Sequence, residues 1–167
     1  MPENLYVRMN RPLPLADLLG LAATKVKEML RLEREPEIGT EIPRGATFSV
    51  VPPTIPDRPR WGLNLFLENV DESLVEVHVS TLSAETGESP TVLYFGELRT
   101  PISKALTAAL AIAAADLLGT EIIDLEHVWS NRAQIAADEL EQRLTIVEPQ
   151  PDIQLAAARL HKKMCRQ

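Results

Sequence analysis

The sequence predicts an α+β fold, a mostly antiparallel sheet with helices packed on one face. Three observations lead there. Between Trp61 and Leu98, three short runs alternate apolar and polar residues with period two, separated only by NVDES and SAETGESP. Turns that short join antiparallel neighbours. Ahead of this meander and behind it, apolar residues recur at helical spacing. The resulting order, β-α-β, meander, α-β-α-α, separates runs of strands from runs of helices.

The elements follow in turn. Leu5, Val7 and Met9 alternate on one side of a first strand. Leu15, Leu18, Leu19, Ala22, Val26, Met29 and Leu30 then mark the apolar stripe of a helix from about Pro14 to Leu32. Residues 35–47, EPEIGTEIPRGAT, read as a loop from their Pro and Gly content. Phe48 to Val51 is a brief strand. The following VPPTIPDRPRWG has four prolines within eight positions, which makes an extended, stiff loop bearing Arg58, Arg60 and Trp61.

In the meander, Leu63, Leu65 and Leu67 alternate with Asn64, Phe66 and Glu68. Val75, Val77 and Val79 alternate with Glu76, His78 and Ser80. From Thr91 to Leu98 the two faces are Val92 and Tyr94 against Leu93, Phe95 and Glu97. With one face turned to the helices, the other is expected to show Phe66, Glu68, Glu76, His78, Phe95 and Glu97.

The strongest helix follows. Thr100 suits an N-cap, Pro101 the first turn and Gly119 the residue past the end. Its interior, ISKALTAALAIAAADLL, is apolar nearly all round, so burial on more than one side is expected. Asp116 near its end is expected to be partly exposed. EIIDL reads as a short strand, Gln134 to Leu144 as a helix, and Pro151 to Met164 as a last helix. The chain is expected to form a single domain over residues 1–167, with a basic helix end at about 159–167.

The net charge of −7 is uneven. Residues 61–98 hold seven acids and no Lys or Arg, and residues 116–141 hold seven acids against Arg132 alone. Direct nucleic-acid binding needs clustered cations, so this balance speaks against it. Acidic faces steer basic partners. The single cysteine, Cys165, rules out an intramolecular disulfide and a Cys-based zinc site. The start, MPENLYVRMN, lacks the apolar core of a signal peptide, and the most apolar helix is interrupted by Lys104 and Asp116. A cytoplasmic, unanchored protein is the expectation.

Chemistry-bearing motifs are few. There is no GxSxG, no HExxH and no Gly-rich phosphate loop, and no cofactor is expected. Asp124, Glu126 and His127 make the best cluster, although alternation along a strand turns His127 away from the two acids. Glu76 and His78 share a strand face and can pair. His161 falls in a basic helix end and is expected to be solvated.

The segment TPISKALTAALAIAAADLLGTEIIDLEHVW, residues 100–129, resembles one in small bacterial α+β proteins, where an Ala-rich helix leads into a short strand with an I-I-D core and a Trp. That pattern is shared by uncharacterised proteins and by immunity proteins of polymorphic-toxin systems. The resemblance implies a non-enzymatic protein that binds and blocks a cognate toxin. With the acidic blocks it makes a basic protein the expected partner, met by Phe66, Glu68, Glu76, His78, Phe95 and Glu97, with Arg58, Arg60 and Trp61 as loop anchors. Two alternatives stand beside it. One is a small hydrolase or ligand-binding enzyme using Asp124 and Glu126. The other is a structural subunit, a homodimer in its simplest form, with the Ala-rich helix buried against a second copy.

Overall fold

A computed structural model describes residues 4–50, 53–54, 63–82 and 90–164. Along the chain these form β1 (Leu5–Arg8), β2 (Leu13–Pro14), α1 (Leu15–Leu30), β3 (Ile38–Thr40), β4 (Thr47–Val50), β5 (Pro53–Thr54), β6 (Leu63–Leu67), β7 (Val75–Thr81), β8 (Thr91–Glu97), α2 (Pro101–Leu118), β9 (Ile122–Ile123), β10 (Gln134–Ile135), α3 (Ala137–Leu144) and α4 (Ile153–Met164). Seven strands make one sheet in the order β10-β9-β1-β8-β7-β6-β3, and β2-β4-β5 make a second. Among the described residues every pairing is antiparallel. The α+β architecture and the β6-β7-β8 meander are those the alternation predicts.

The core is organised around α2. Thr100 accepts the Ser103 N–H at 3.1 Å and Pro101 opens the helix. Gly119, at φ 66°, closes it with its N–H on the Ala115 carbonyl. That left-handed backbone is where glycine avoids the Cβ penalty. All residues from Ile102 to Ala115 are buried. The helix packs on β1, β8 and the strands beside them, while α1, α3 and α4 cover its other sides. Alanines at 105, 108, 109, 111, 113, 114 and 115 let these neighbours approach closely. By length and hydropathy α2 is apolar enough to cross a membrane, but 83% of it is buried inside the fold. No second copy is needed to bury it, so the Ala-rich helix gives no support to the structural-subunit alternative.

Side-chain hydroxyls lock the N-terminus of α2 to the meander. Ser103 Oγ donates to the Leu74 carbonyl at 2.6 Å and receives the Leu98 N–H at 2.9 Å. Thr100 Oγ1 donates to the Glu72 carbonyl at 2.6 Å. In the β6–β7 turn, Asn69 and Glu72 take positive φ, and buried Ser73 bonds the Leu67 N–H at 2.9 Å.

Several expectations are corrected. The loop over 35–47 contains β3, an edge strand of three residues whose Gly39 faces Phe66 across the ladder. The helix expected from Gln134 begins at Ala137 instead. Gln134 and Ile135 pair with Ile123 and Ile122, which buries Ile135 in the core, so tertiary pairing overrides helical spacing there. His161 is half-buried, with Nε2 3.4 Å from the Lys104 ammonium, rather than solvated.

The meander register corrects the two most consequential assignments. Val77 stands opposite Phe95 and Val75 opposite Glu97. Phe95 and Glu97 therefore share the inner face with the buried valines. Phe95 is fully buried, and Glu97 is 6% exposed, its carboxylate receiving the Arg99 N–H. The predicted outer face took the wrong parity for this strand, and a one-residue change of parity exchanges every side chain between faces.

Candidate functional site

The outer face of the large sheet follows from the same register. Asn64 pairs with Glu76 and Glu76 with Gly96; His78 pairs with Tyr94 and Tyr94 with Tyr6; Phe66 pairs with Gly39. Directly opposed residues project to the same side. Phe66, Glu68, Glu76 and His78 thus lie where the alternation predicts, with Glu68 and Glu76 exposed and Phe66 and His78 half-buried. Tyr6 and Tyr94, also half-buried, stand in the places expected of Phe95 and Glu97. Arg58, Arg60 and Trp61 lie outside the described residues.

The centre of this face is an aromatic and acidic cluster. The Tyr6 and Tyr94 rings meet edge to face at 5.5 Å, and the His78 ring lies 5.1 Å from Tyr94. His78 Nε2 is 2.6 Å from Glu76 Oε1. Burial pushes the Tyr94 phenol above its usual range, and Tyr6, Glu76, Glu97 and Glu126 add to the rise by disfavouring a further negative charge. Glu126, exposed in the loop after β9, therefore acts on this face electrostatically.

Two glycines set the posture of the rings. A Cβ on Gly96 would lie 2.6 Å from the Tyr94 hydroxyl oxygen and 2.9 Å from Cε1, so the ring lies over Gly96. A Cβ on Gly39 would collide with Phe66 Cε2 and lie 2.6 Å from Glu68 Oε1. Each ring occupies space that a side chain on the glycine beneath it would need. Reading the sequence for charge missed Tyr6 and Tyr94. The available signal was Gly96 two positions after Tyr94, since a glycine inside a strand often marks close approach from above.

The Asp124 cluster is built differently. Asp124 is fully buried. Its Oδ2 receives the Trp129 and Ser130 N–H groups, both at 2.8 Å, and its Oδ1 the Val128 N–H at 3.2 Å. The carboxylate organises the loop that seats buried Trp129 in the core. Glu126 and His127 are exposed, and His127 adopts φ 56°. The three side chains do not converge in a cleft. Among the described residues no group of three or more His, Cys, Asp or Glu side chains is placed to hold a metal ion.

The second acidic block is largely committed inside the protein. Lys25 meets Glu141 at 2.9 Å and Asp116 at 3.3 Å, joining α1, α2 and α3. Asp116 is indeed partly exposed, its side chain at 40%. Burial lowers the proton affinity of Lys25, but the bonds and charges of Glu141 and Asp116 outweigh it, and its pKa rises. Glu139 pairs with Arg132. With Asp124 holding its loop and Asp138 receiving the Glu139 N–H, five of the seven acids between 116 and 141 have internal partners. A cleft of about 240 Å³ lies apart from both acidic regions, between residues 146–150 and α4, with Arg159, Lys162 and Lys163 on one wall and Glu148 among its other lining residues.

Comparison with known protein families, with curated proteins and with solved structures found no match.

Proposed function

We propose that this chain is a protein-binding module whose outer sheet face takes a basic protein partner. One observation carries the reading. The face combines exposed carboxylates, Glu68 and Glu76, with half-buried rings, Phe66, Tyr94 and Tyr6. Aromatic side chains anchor interfaces, and carboxylates at their edge steer a cationic partner and orient it. The net charge of −7 adds a long-range attraction of the same sign. The resemblance of residues 100–129 supplies the partner class, a basic toxin or effector that the module would block as an immunity-type inhibitor.

The hydrolase alternative loses its principal residue, because both Asp124 oxygens are occupied by backbone N–H groups. The binding reading is tested by presenting the chain and its Glu68→Lys/Glu76→Lys variant to a lysate of native cells. A basic protein held by the first, released by salt and not held by the second is the expected result. Association with that protein should then slow in the variant and lose part of its salt dependence. Equal retention and equal association kinetics would remove the outer face from the argument.

A further inference from the structure

We infer that the outer face carries two seats for cationic side chains, Tyr94 over Gly96 and Phe66 over Gly39, each taking a guanidinium or ammonium group of the partner. This rests on the proposed reading of that face and specifies its chemistry.

An aromatic ring carries negative electrostatic potential on its face. A ring standing upright from a strand offers an edge; a ring lying over a glycine keeps one face against the backbone and turns the other outward. The close approach of Tyr94 to Gly96 and of Phe66 to Gly39 fits the second posture. Both rings are half-buried, so part of each remains open to solvent. A cation placed over such a face gains a cation–π attraction, and a planar guanidinium can also stack.

The carboxylates complete each seat. Glu68 Oε1 sits beside Phe66 above Gly39. Glu76 stands opposite Gly96 in the ladder, next to the Tyr94 ring. Glu126 raises the negative potential at Tyr94 from the neighbouring loop. The same carboxylates repel phosphate, so nucleobases stacking on these rings are disfavoured.

Spacing makes the two seats a pair. Tyr94 and Phe66 lie on strands separated by one other, and the register offsets them by four residues. They are therefore about 10 Å apart across the sheet and about 13 Å along it. An extended peptide of eight residues spans about 25 Å and can reach both.

The test uses the full chain and an octa-arginine peptide, with octa-citrulline as its uncharged match. The expected result is that octa-arginine binds, shifts the ring protons of Tyr94 and Phe66 in NMR spectra, and that octa-citrulline does neither. Removing one ring face, in Tyr94→Leu or Phe66→Leu, should weaken binding about two- to fivefold. The double variant should lose roughly the product, and Tyr94→Phe, which keeps the ring, should bind as the original chain does. Binding that survives both Leu substitutions but fails in Glu68→Lys/Glu76→Lys overturns the seats while leaving the acidic docking face standing. Unshifted ring protons likewise overturn the seats alone, whereas binding indifferent to both sets of changes, or preference for a single-stranded oligouridylate, overturns the inference together with the reading beneath it.

Discussion

Replacing Asp124 by Ala removes the acceptor for three backbone N–H groups at once. The magnitude follows from where those donors sit. The Trp129 and Ser130 bonds are buried, whereas the Val128 bond is longer and only part-buried. A buried donor left without a partner costs about 1–3 kcal/mol, and a part-buried one can find water at little cost. Two stranded buried donors therefore cost about 2–6 kcal/mol. The loop anchors Trp129, which is fully buried in the core, so the loss should be felt globally rather than as local fraying. Asp124→Asn can keep one oxygen facing the Trp129 and Ser130 donors and loses the charge and the weaker bond, so about 1–2 kcal/mol is expected. Urea denaturation followed by circular dichroism measures both, with an unchanged slope showing that the same surface is exposed. If Asp124→Ala costs less than about 1 kcal/mol, the carboxylate does not organise the loop as argued.

Three further outcomes are expected. Lys25→Met leaves Glu141 and Asp116 facing each other without their cation and should cost about 1–3 kcal/mol in the same assay. Because the folded pKa of Lys25 is raised above its ordinary 10.5, this stabilisation is fully present below that pH and fades as the pH climbs through the higher folded value; a difference that vanished between pH 6 and 9 would contradict it. Glu28 is held above its ordinary 4.5 by a hydrogen bond with Glu141 and then by partial burial, so its contribution is favourable below that pH and lost as the pH rises through the folded value. Glu28→Gln should accordingly raise the urea midpoint at pH 7 by an amount worth only a few tenths of a kcal/mol, since the group is exposed, and the gain should shrink towards pH 4. Ala109→Leu forces extra carbons into the fully buried surface of α2 and should lower stability by about 1–3 kcal/mol; a thermal midpoint equal to that of the original chain would show that α2 is packed more loosely than its burial implies.

The legible parts of this fold are those where one face of an element is apolar and the other is not. Leu63, Leu65 and Leu67 against Asn64, Phe66 and Glu68 leave a single sensible orientation, and the strand takes it. The stripe from Leu15 to Leu30 does the same for α1, and Thr100, Pro101 and Gly119 mark both ends of α2. The β8 strand lacks this contrast. Val92 and Tyr94 on one side, and Leu93 and Phe95 on the other, are equally apolar, so Glu97 was the natural guide to the wet face. It is buried instead, at the end of a strand whose register is set by its pairing with β7 and β1. The short strands β2, β3, β5 and β10, of two or three residues each, were equally hard to read, because pairing rather than composition makes them strands.

The sequence alone determined the fold class, the ends of α2, the meander and the presence of an acidic sheet face, because each depends on residues near one another in the chain. Propensity, capping and periodicity act over a few positions. Which acids reach solvent, which rings share a face and what Asp124 does were decided only by tertiary structure. Those outcomes depend on partners distant along the chain, such as Tyr6 with Tyr94, Gly39 with Phe66 and Lys25 with Glu141. The energies that select them arise from register and burial, which no local window contains.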